Sequence, residues 1–181
     1  MELTKTEGGV CAPKGFKANG VYCGIKKPAA DNQNPAVPHK NDLGMIVSDM
    51  QCVCAAVYTT NKVKGAPILV TKHNLEKTGN RAKAVIVNSK NANTCNADGV
   101  EKAEKMCALA AGELGIKPEE IIVASTGVIG QILPIEPIEK GIKPLVSGLS
   151  YTGNEAAATA IMTTDTIKKE YAVEFNAGGK T

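Results

Sequence analysis

The stretch VASTGVIG, residues 123–130, places two hydroxyls and a glycine directly after an apolar run. A strand that leaves a core here must release its backbone amides, and Gly127 can adopt φ > 0 so that consecutive amides point outward. With a neighbouring hydroxyl, such fixed donors can stabilise the oxyanion that develops in acyl transfer. The same residue types also form ordinary turns, in which Ser and Thr bond their own backbone. From these residues alone we favour the turn.

Two further polar clusters follow apolar segments. NSKNANTC, residues 88–95, could line a polar pocket or cap a following helix, because Asn and Ser side chains compete for backbone hydrogen bonds. MTTDT, residues 162–166, offers three hydroxyls and a carboxylate to a polar substrate, or forms an Asx or Ser/Thr turn. From the residues alone we favour the structural alternative for both clusters.

The rest of the chain supplies few catalytic groups. His39 and His73 are the only histidines, and both are expected on the surface, so no Ser-His-Asp arrangement can be assigned. An acyl-transfer enzyme of this kind would need another nucleophile, such as an N-terminal threonine whose α-amino group acts as the base. The six cysteines are expected to be reduced, and Cys52 and Cys54 lack a second Cys/His pair at zinc-binding spacing. We therefore expect no metal.

Composition excludes several classes of protein. A net charge of +3 with 3% aromatic residues argues against nucleic-acid binding. No apolar run approaches the roughly 20 residues that span a bilayer, and MELTKTEGGV lacks the apolar region of a secretory signal. We therefore expect a cytoplasmic protein without a membrane segment. No nucleotide-binding glycine motif occurs after the first strand or in P-loop form, and we expect no cofactor.

The elements that must position the clusters alternate between short apolar runs and helical patterns, which predicts an α/β or α+β fold with a layered mixed sheet and an aliphatic core. A proline-rich loop is expected at residues 28–41. Strands are expected at residues 43–48, 53–58, 67–71, 84–87 and 121–124, and within 170–181 before a Gly-Gly turn. Helices are expected at 98–114, at 154–162, and as one or two short pieces within 134–147 that Pro137 and Pro144 break.

The helix at 98–114 has the strongest signals of these elements. Asp98 is a good N-cap, and Glu101 completes a capping-box pattern with it. Gly115 is well placed to end the helix.

The three clusters occur in series, and with their flanking segments they resemble the ornithine acetyltransferase family, also called glutamate N-acetyltransferase, of arginine biosynthesis. The resemblance covers nearly the whole chain. It rests on the segments GGVCAPKGFKANGVYCGIK, DLGMIVSD, VYTTNKVKGAP, NSKNANTC, VASTGVIG and IMTTDT.

The resemblance implies a precursor that cleaves itself before an internal threonine. The resulting α and β chains stay together and usually form an α2β2 heterotetramer. The new N-terminal threonine of the β chain takes the acetyl group of N-acetylornithine and passes it to glutamate, and some members also accept acetyl-CoA. Residues 1–181 would be α-chain sequence, belonging to a single domain of the self-cleaving N-terminal-threonine fold that a separate β chain completes.

The resemblance also implies site residues. The Thr126 hydroxyl and the Gly127 amide match an oxyanion hole, and Thr163 matches a substrate-binding threonine, with Thr164 as its competitor. Where the family usually has glycine, this chain has Lys90. The family's KGSGMI…NMAT segment, with its binding lysine and catalytic threonine, has no counterpart in these 181 residues. The resemblance thus implies that the nucleophile lies in the β chain and that this chain alone is inactive.

Two alternatives stay open. One is a self-processing aminopeptidase on the related fold, and the other is a noncatalytic binding module.

Overall fold

The computed structural model describes residues 2–26 and 39–180, so most of the loop predicted at residues 28–41 lies outside the described residues. The strands are β1 (Thr4–Thr6), β2 (Phe16–Val21), β3 (Leu43–Val53), β4 (Arg81–Asn88), β5 (Ile121–Ser125) and β6 (Ala172–Glu174). The α-helices are α1 (Ala66–Lys77), α2 (Gly99–Leu114), α3 (Ile135–Ser147) and α4 (Asn154–Ala160), and short 3-10 turns occur at Gly9–Cys11 and Pro118–Glu120.

The main sheet is mixed, as the sequence predicts. Its strand order is β2-β3-β4-β5, with antiparallel pairs except for the parallel pair of β4 and β5. Met45, Ile86 and Val123 lie side by side across three strands. Strands β1 and β6 form a separate antiparallel ribbon.

Helices cover the two faces of the main sheet unequally. One face packs against α1, α2 and α3 and forms the core. Its described side chains are aliphatic, as predicted, and none of them is aromatic. Residues of β3 alternate between the faces, so Met45 lies in this core whereas Gly44 faces α4. Helix α4 packs on β2 and β3 and leaves the part of this face on β4 and β5 half-exposed.

Strand predictions were confirmed where the apolar run was short and buried. Residues 43–48, 84–87 and 121–124 lie in β3, β4 and β5, and β6 lies within the predicted terminal segment. The strand predicted at 53–58 was wrong, because only Val53 belongs to a strand. Val53 pairs with Arg81, the first residue of β4, so no partner strand remains beyond it.

The strand predicted at 67–71 was also wrong, because these residues begin helix α1. The sequence PILVT is rich in β-branched residues, but Pro67 stands in the first turn, where a helix tolerates a missing amide. Val70, Asn74 and Leu75 are buried on one side of the helix, at the spacing of a helical face. His73 is on the surface as expected, although in this helix rather than in a loop.

The predicted helices form with three differences. Asp98 precedes α2 without making a side-chain capping bond, whereas Gly115 ends the helix with φ +67° as predicted. Helix α3 is continuous from 135 to 147. Pro137 lies in the first turn, where a helix tolerates a missing amide, whereas Pro144 lies inside the helix without ending it. Helix α4 ends at Ala160, two residues earlier than expected.

The cysteines and the lengths of the helices bear on two further expectations. None of the six cysteines is joined in a disulfide. Across residues 2–26 and 39–180, no helix combines the length and apolarity needed to cross a membrane.

Candidate active site

The candidate site lies where the parallel strands β4 and β5 end. Asn88 and Ser125 are paired across these strands, and the Ser125 hydroxyl donates a 2.6 Å hydrogen bond to Asn88 Oδ1. Asn88 is fully buried, and its side-chain amide donates to the carbonyl of Asn91 at 2.9 Å. The polar clusters at 88–95 and 125–127 therefore meet at one edge of the sheet.

Main-chain hydrogen bonds hold the turn after β5 against residues 88–92. The Thr126 amide donates to the Asn88 carbonyl at 3.0 Å, and the Val128 amide donates to the Lys90 carbonyl at 3.0 Å. Among the described residues, the Gly127 amide between them and the Thr126 hydroxyl have no hydrogen-bond partner. Adjacent residues thus present two donors on a backbone that is fixed on either side.

Gly127 is required by its conformation and by its surroundings. Its φ is +135°, which L side chains rarely adopt. A Cβ at this position would lie 2.2 Å from the carbonyl carbon of Lys90 and 2.6 Å from the Asn91 nitrogen. Both are main-chain atoms, so no side-chain rotation could relieve the contact.

Lys90 lies in the loop that meets the turn after β5. Its φ is +80°, in the left-handed region that glycine adopts most readily. The lysine therefore keeps a glycine-type backbone at this position, and its side chain is exposed.

The asparagines of residues 88–95 support the structure. Asn91 Nδ2 donates to the carbonyls of Gln131 and Ile132, at 3.0 and 3.2 Å. Asn93 Nδ2 donates to the Gly99 carbonyl at 2.8 Å, in the first turn of α2. These contacts support the structural alternative for the cluster, with the difference that Asn93 binds a carbonyl and not the free amides of the helix.

Thr163 follows the end of α4 and is exposed. It lines an open cleft of about 330 Å³, and its amide lies 3.4 Å from the Asp165 carboxylate. The hydrogen bond to Lys169 is the main reason why the pKa of Asp165 is below its ordinary value. Thr164 is not among the residues that line this cleft.

Residues 88–89 contact both Thr126 and the end of α4, which precedes Thr163. The Ser89 hydroxyl donates to the Ala160 carbonyl at 2.5 Å, and the Thr126 amide binds Asn88. Thr126 does not line the cleft that contains Thr163, so the two residues share an edge of the sheet but no cavity of the described chain.

Sequence reasoning missed two residues beside this cleft. Asp42 is fully buried, and its carboxylate accepts hydrogen bonds from the amides of Cys23, Gly24 and Lys26. The Lys26 ammonium binds two backbone carbonyls, and burial is the largest cause of its lowered pKa. A charged residue directly before an apolar strand, such as Asp42, was the available signal.

No metal-binding cluster is found in the part of the chain that the structure describes. Within residues 2–26 and 39–180, no group of three or more His, Cys, Asp or Glu side chains could hold an ion. His39 is exposed and stacks on Tyr22, with ring centroids 4.3 Å apart.

Known proteins resemble this chain over nearly its full length. The "Arginine biosynthesis bifunctional protein ArgJ" of Bacillus anthracis is 43% identical over 98% of this chain, and that of Dehalococcoides mccartyi (strain CBDB1) is 41% identical over 96%. The chain spans only 41% and 40% of the length of these two relatives.

Two crystal structures share the fold. ArgJ from Bacillus halodurans aligns with a TM-score of 0.86 and 37% identity, covering 99% of this chain and 88% of that chain. Ornithine acetyltransferase from Mycobacterium tuberculosis, solved with ornithine, aligns with a TM-score of 0.82 and 33% identity, covering 95% and 88%. The profile of the ArgJ family matches residues 17–181, and the chain belongs to this family.

Proposed function

We propose that this chain is the α subunit of an acetyltransferase of arginine biosynthesis that moves acetyl from N-acetylornithine to glutamate. The observation that carries the proposal is the turn at 126–127, in which two donors without a partner among residues 2–26 and 39–180 stand on a fixed backbone. Membership in the ArgJ family and the likeness to ornithine acetyltransferase support the substrate class. The proposal places the protein in the cytoplasm.

The reaction uses a threonine hydroxyl from the N-terminus of a partner β chain. The hydroxyl attacks the acetyl carbonyl of N-acetylornithine and transfers its proton through the α-amino group to the leaving ornithine amine. The amine of glutamate then attacks the acetyl-threonine ester, which releases N-acetylglutamate and restores the hydroxyl. In both steps the carbonyl oxygen gains negative charge, which the Thr126 hydroxyl and the Gly127 amide stabilise.

Thr163 binds the substrate in the open cleft after α4, which it lines together with Lys26 and Asp165. The α chain therefore supplies donors for the oxyanion and one wall of the binding site, and the β chain supplies the nucleophile.

The surface of the chain supports a partner that completes one shared domain. Beside α4, the sheet face leaves the apolar side chains of Ile46, Val85 and Ile122 half-exposed. Val57 and Ile132 are exposed by 99% and 73%. Apolar side chains that are left open on a sheet face favour contact with a partner. A β chain from the same precursor covers it, the α/β pair forms an α2β2 heterotetramer, and the α chain alone is inactive.

The lengths of the relatives agree with a cleaved precursor. This chain covers 88% of each crystallised chain, but 40% and 41% of the two curated relatives. Self-cleavage of a longer chain accounts for both values.

Thr126→Ala in the full two-chain protein tests the function. Losing one oxyanion donor costs about 10²–10³ in rate, so kcat for acetyl transfer from N-acetylornithine to glutamate should fall by that factor. Thr126→Ser keeps the hydroxyl and should retain most of the activity. Gel analysis of cleavage separates a loss of chemistry from a loss of processing. Unchanged turnover in Thr126→Ala would refute the role of its hydroxyl, and hydrolysis of amide substrates without acetyl transfer would indicate an aminopeptidase.

A further inference from the structure

We propose that Lys26 is a positioning residue, which holds the main chain next to Thr163 and thereby sets the affinity for the amino-acid substrate. The inference rests on the proposed function, because it assigns Lys26 a part in the same binding site. It concerns a residue that lies 137 positions away from Thr163 in the sequence.

The Lys26 ammonium bridges two parts of the cleft wall. Its Nζ lies 2.7 Å from the carbonyl oxygen of Met162, the residue before Thr163, and 2.7 Å from the carbonyl oxygen of Asn41. Both bonds are charge-assisted, and such bonds are roughly twice as strong as neutral ones. Lys26 therefore ties the segment that carries Thr163 to the start of β3.

The main chain of Lys26 is also held in place, by the Asp42 carboxylate. Its amide donates to the buried carboxylate of Asp42 at 2.8 Å, and the amides of Cys23 and Gly24 donate to the same carboxylate. Asp42 stands directly before β3 and is fully buried. Met162 is thus connected to the sheet through the Lys26 ammonium, the main chain at residues 23–26 and the buried Asp42 carboxylate.

A neutral anchor stands close by, at the last residue of α4, where the Ser89 hydroxyl holds the Ala160 carbonyl at 2.5 Å. Met162 follows two residues later, and its amide donates to the carbonyl of Thr159 in α4. Without the Lys26 ammonium, the main chain at 162–163 would keep local contacts but lose its link to β3.

The charged groups around Lys26 leave its ammonium bound to main-chain carbonyls. Asp42 attracts the ammonium and Lys40 repels it. Asp165, which lines the same cleft, is paired with Lys169. The ammonium is thus directed to two backbone carbonyls, so its removal should weaken binding more than it slows chemistry.

Lys26→Met in the full two-chain enzyme tests this role, because methionine keeps an unbranched apolar stem but removes the donors. We expect KM for N-acetylornithine to rise about tenfold with kcat changed less than about threefold, as for a lost binding interaction. Lys26→Arg keeps the positive charge and the donors and should restore KM to within about threefold of wild type. Lys105→Met is the control, since Lys105 forms a surface ion pair with Glu139 and should leave both constants unchanged.

The outcomes separate the two proposals. Calorimetric binding of ornithine gives a second measure of affinity, and thermal unfolding reports any general loss of structure. Equal losses of kcat and Tm in Lys26→Met and Lys26→Arg, with KM unchanged, would overturn the positioning role. A wild-type KM in Lys26→Met would overturn it too, while active wild-type enzyme keeps the proposed function. Wild-type enzyme that neither transfers acetyl nor binds ornithine would overturn both.

Discussion

Replacing Gly127 with alanine would make the new methyl group clash with main-chain atoms of the neighbouring loop. The new Cβ would lie 2.2 Å from the Lys90 carbonyl carbon and 2.3 Å from its oxygen. Carbon atoms in contact prefer a separation of about 3.5–4.0 Å, so the turn and the loop must separate by more than about 1 Å. The carbonyl that would have to move also accepts the Val128 amide, so this displacement breaks a bond that holds the turn.

The energetic cost has two parts. Holding alanine at φ +135° costs about 1–3 kcal/mol. The hydrogen bonds from Thr126 to Asn88 and from Val128 to Lys90, both 3.0 Å long, flank the contact. Each contributes about 0.5–1.5 kcal/mol. Together these values predict a loss of about 2–6 kcal/mol in the free energy of unfolding.

Gly130→Ala is the matched control, because it separates backbone strain from the close contact. Gly130 has φ +76°, but a Cβ there would meet no atom within 4 Å. Its cost should therefore be only the conformational one, about 1–2 kcal/mol. Calorimetric unfolding of the two variants of the full protein measures the difference.

Steady-state acetyl transfer is the second assay. Because the Gly127 amide must move with the turn, kcat in Gly127→Ala should fall by at least about 10², while Gly130→Ala stays near wild type. If Gly127→Ala melted together with Gly130→Ala and retained wild-type turnover, the contact with Lys90 and the role of the amide would both be refuted.

Two further predictions concern the rest of the chain. Burial raises the pKa of the Cys107 thiol to about 12, and since only the thiolate is nucleophilic, native Cys107 should resist iodoacetamide at pH 8 while the exposed Cys95 reacts. Peptide mass spectrometry before and after denaturation checks this, and equal labelling of both in the native protein would contradict it. Gly112→Ala should raise the free energy of unfolding by about 0.5–1 kcal/mol, because Gly112 lies inside α2 with no atom within 4 Å of a Cβ. Urea unfolding measures the gain, and a loss of stability would contradict the open surroundings.

Three of the four strands of the main sheet and the longest helix could be predicted because their patterns are local. Short apolar runs mark β4 and β5, and α2 has both a helical periodicity and a terminal glycine. The sequence PILVT misled because β-branching favours a strand locally, whereas burial against the core selects helix α1. Local preference therefore failed where packing between distant segments decided the structure.

The candidate site could be predicted in part for the same reason. Its residue types and order identify Thr126 and Gly127, but the free donors depend on the loop at Lys90, which approaches the turn only in the folded chain. The contact between Lys26 and Met162 joins residues 136 positions apart and has no pattern in the sequence.

At Lys90, the main chain determines the shape of the turn, whereas the side chain determines the charge beside it. Lys90 contacts the turn through its carbonyl, and its side chain is exposed to solvent. Residues that tolerate φ > 0, such as glycine, asparagine and aspartate, can replace it without altering these main-chain contacts. A cationic, neutral or anionic group can thus stand beside an unchanged array of donors. Substituting this one surface residue therefore changes the charge beside the turn at 126–127 without changing its shape.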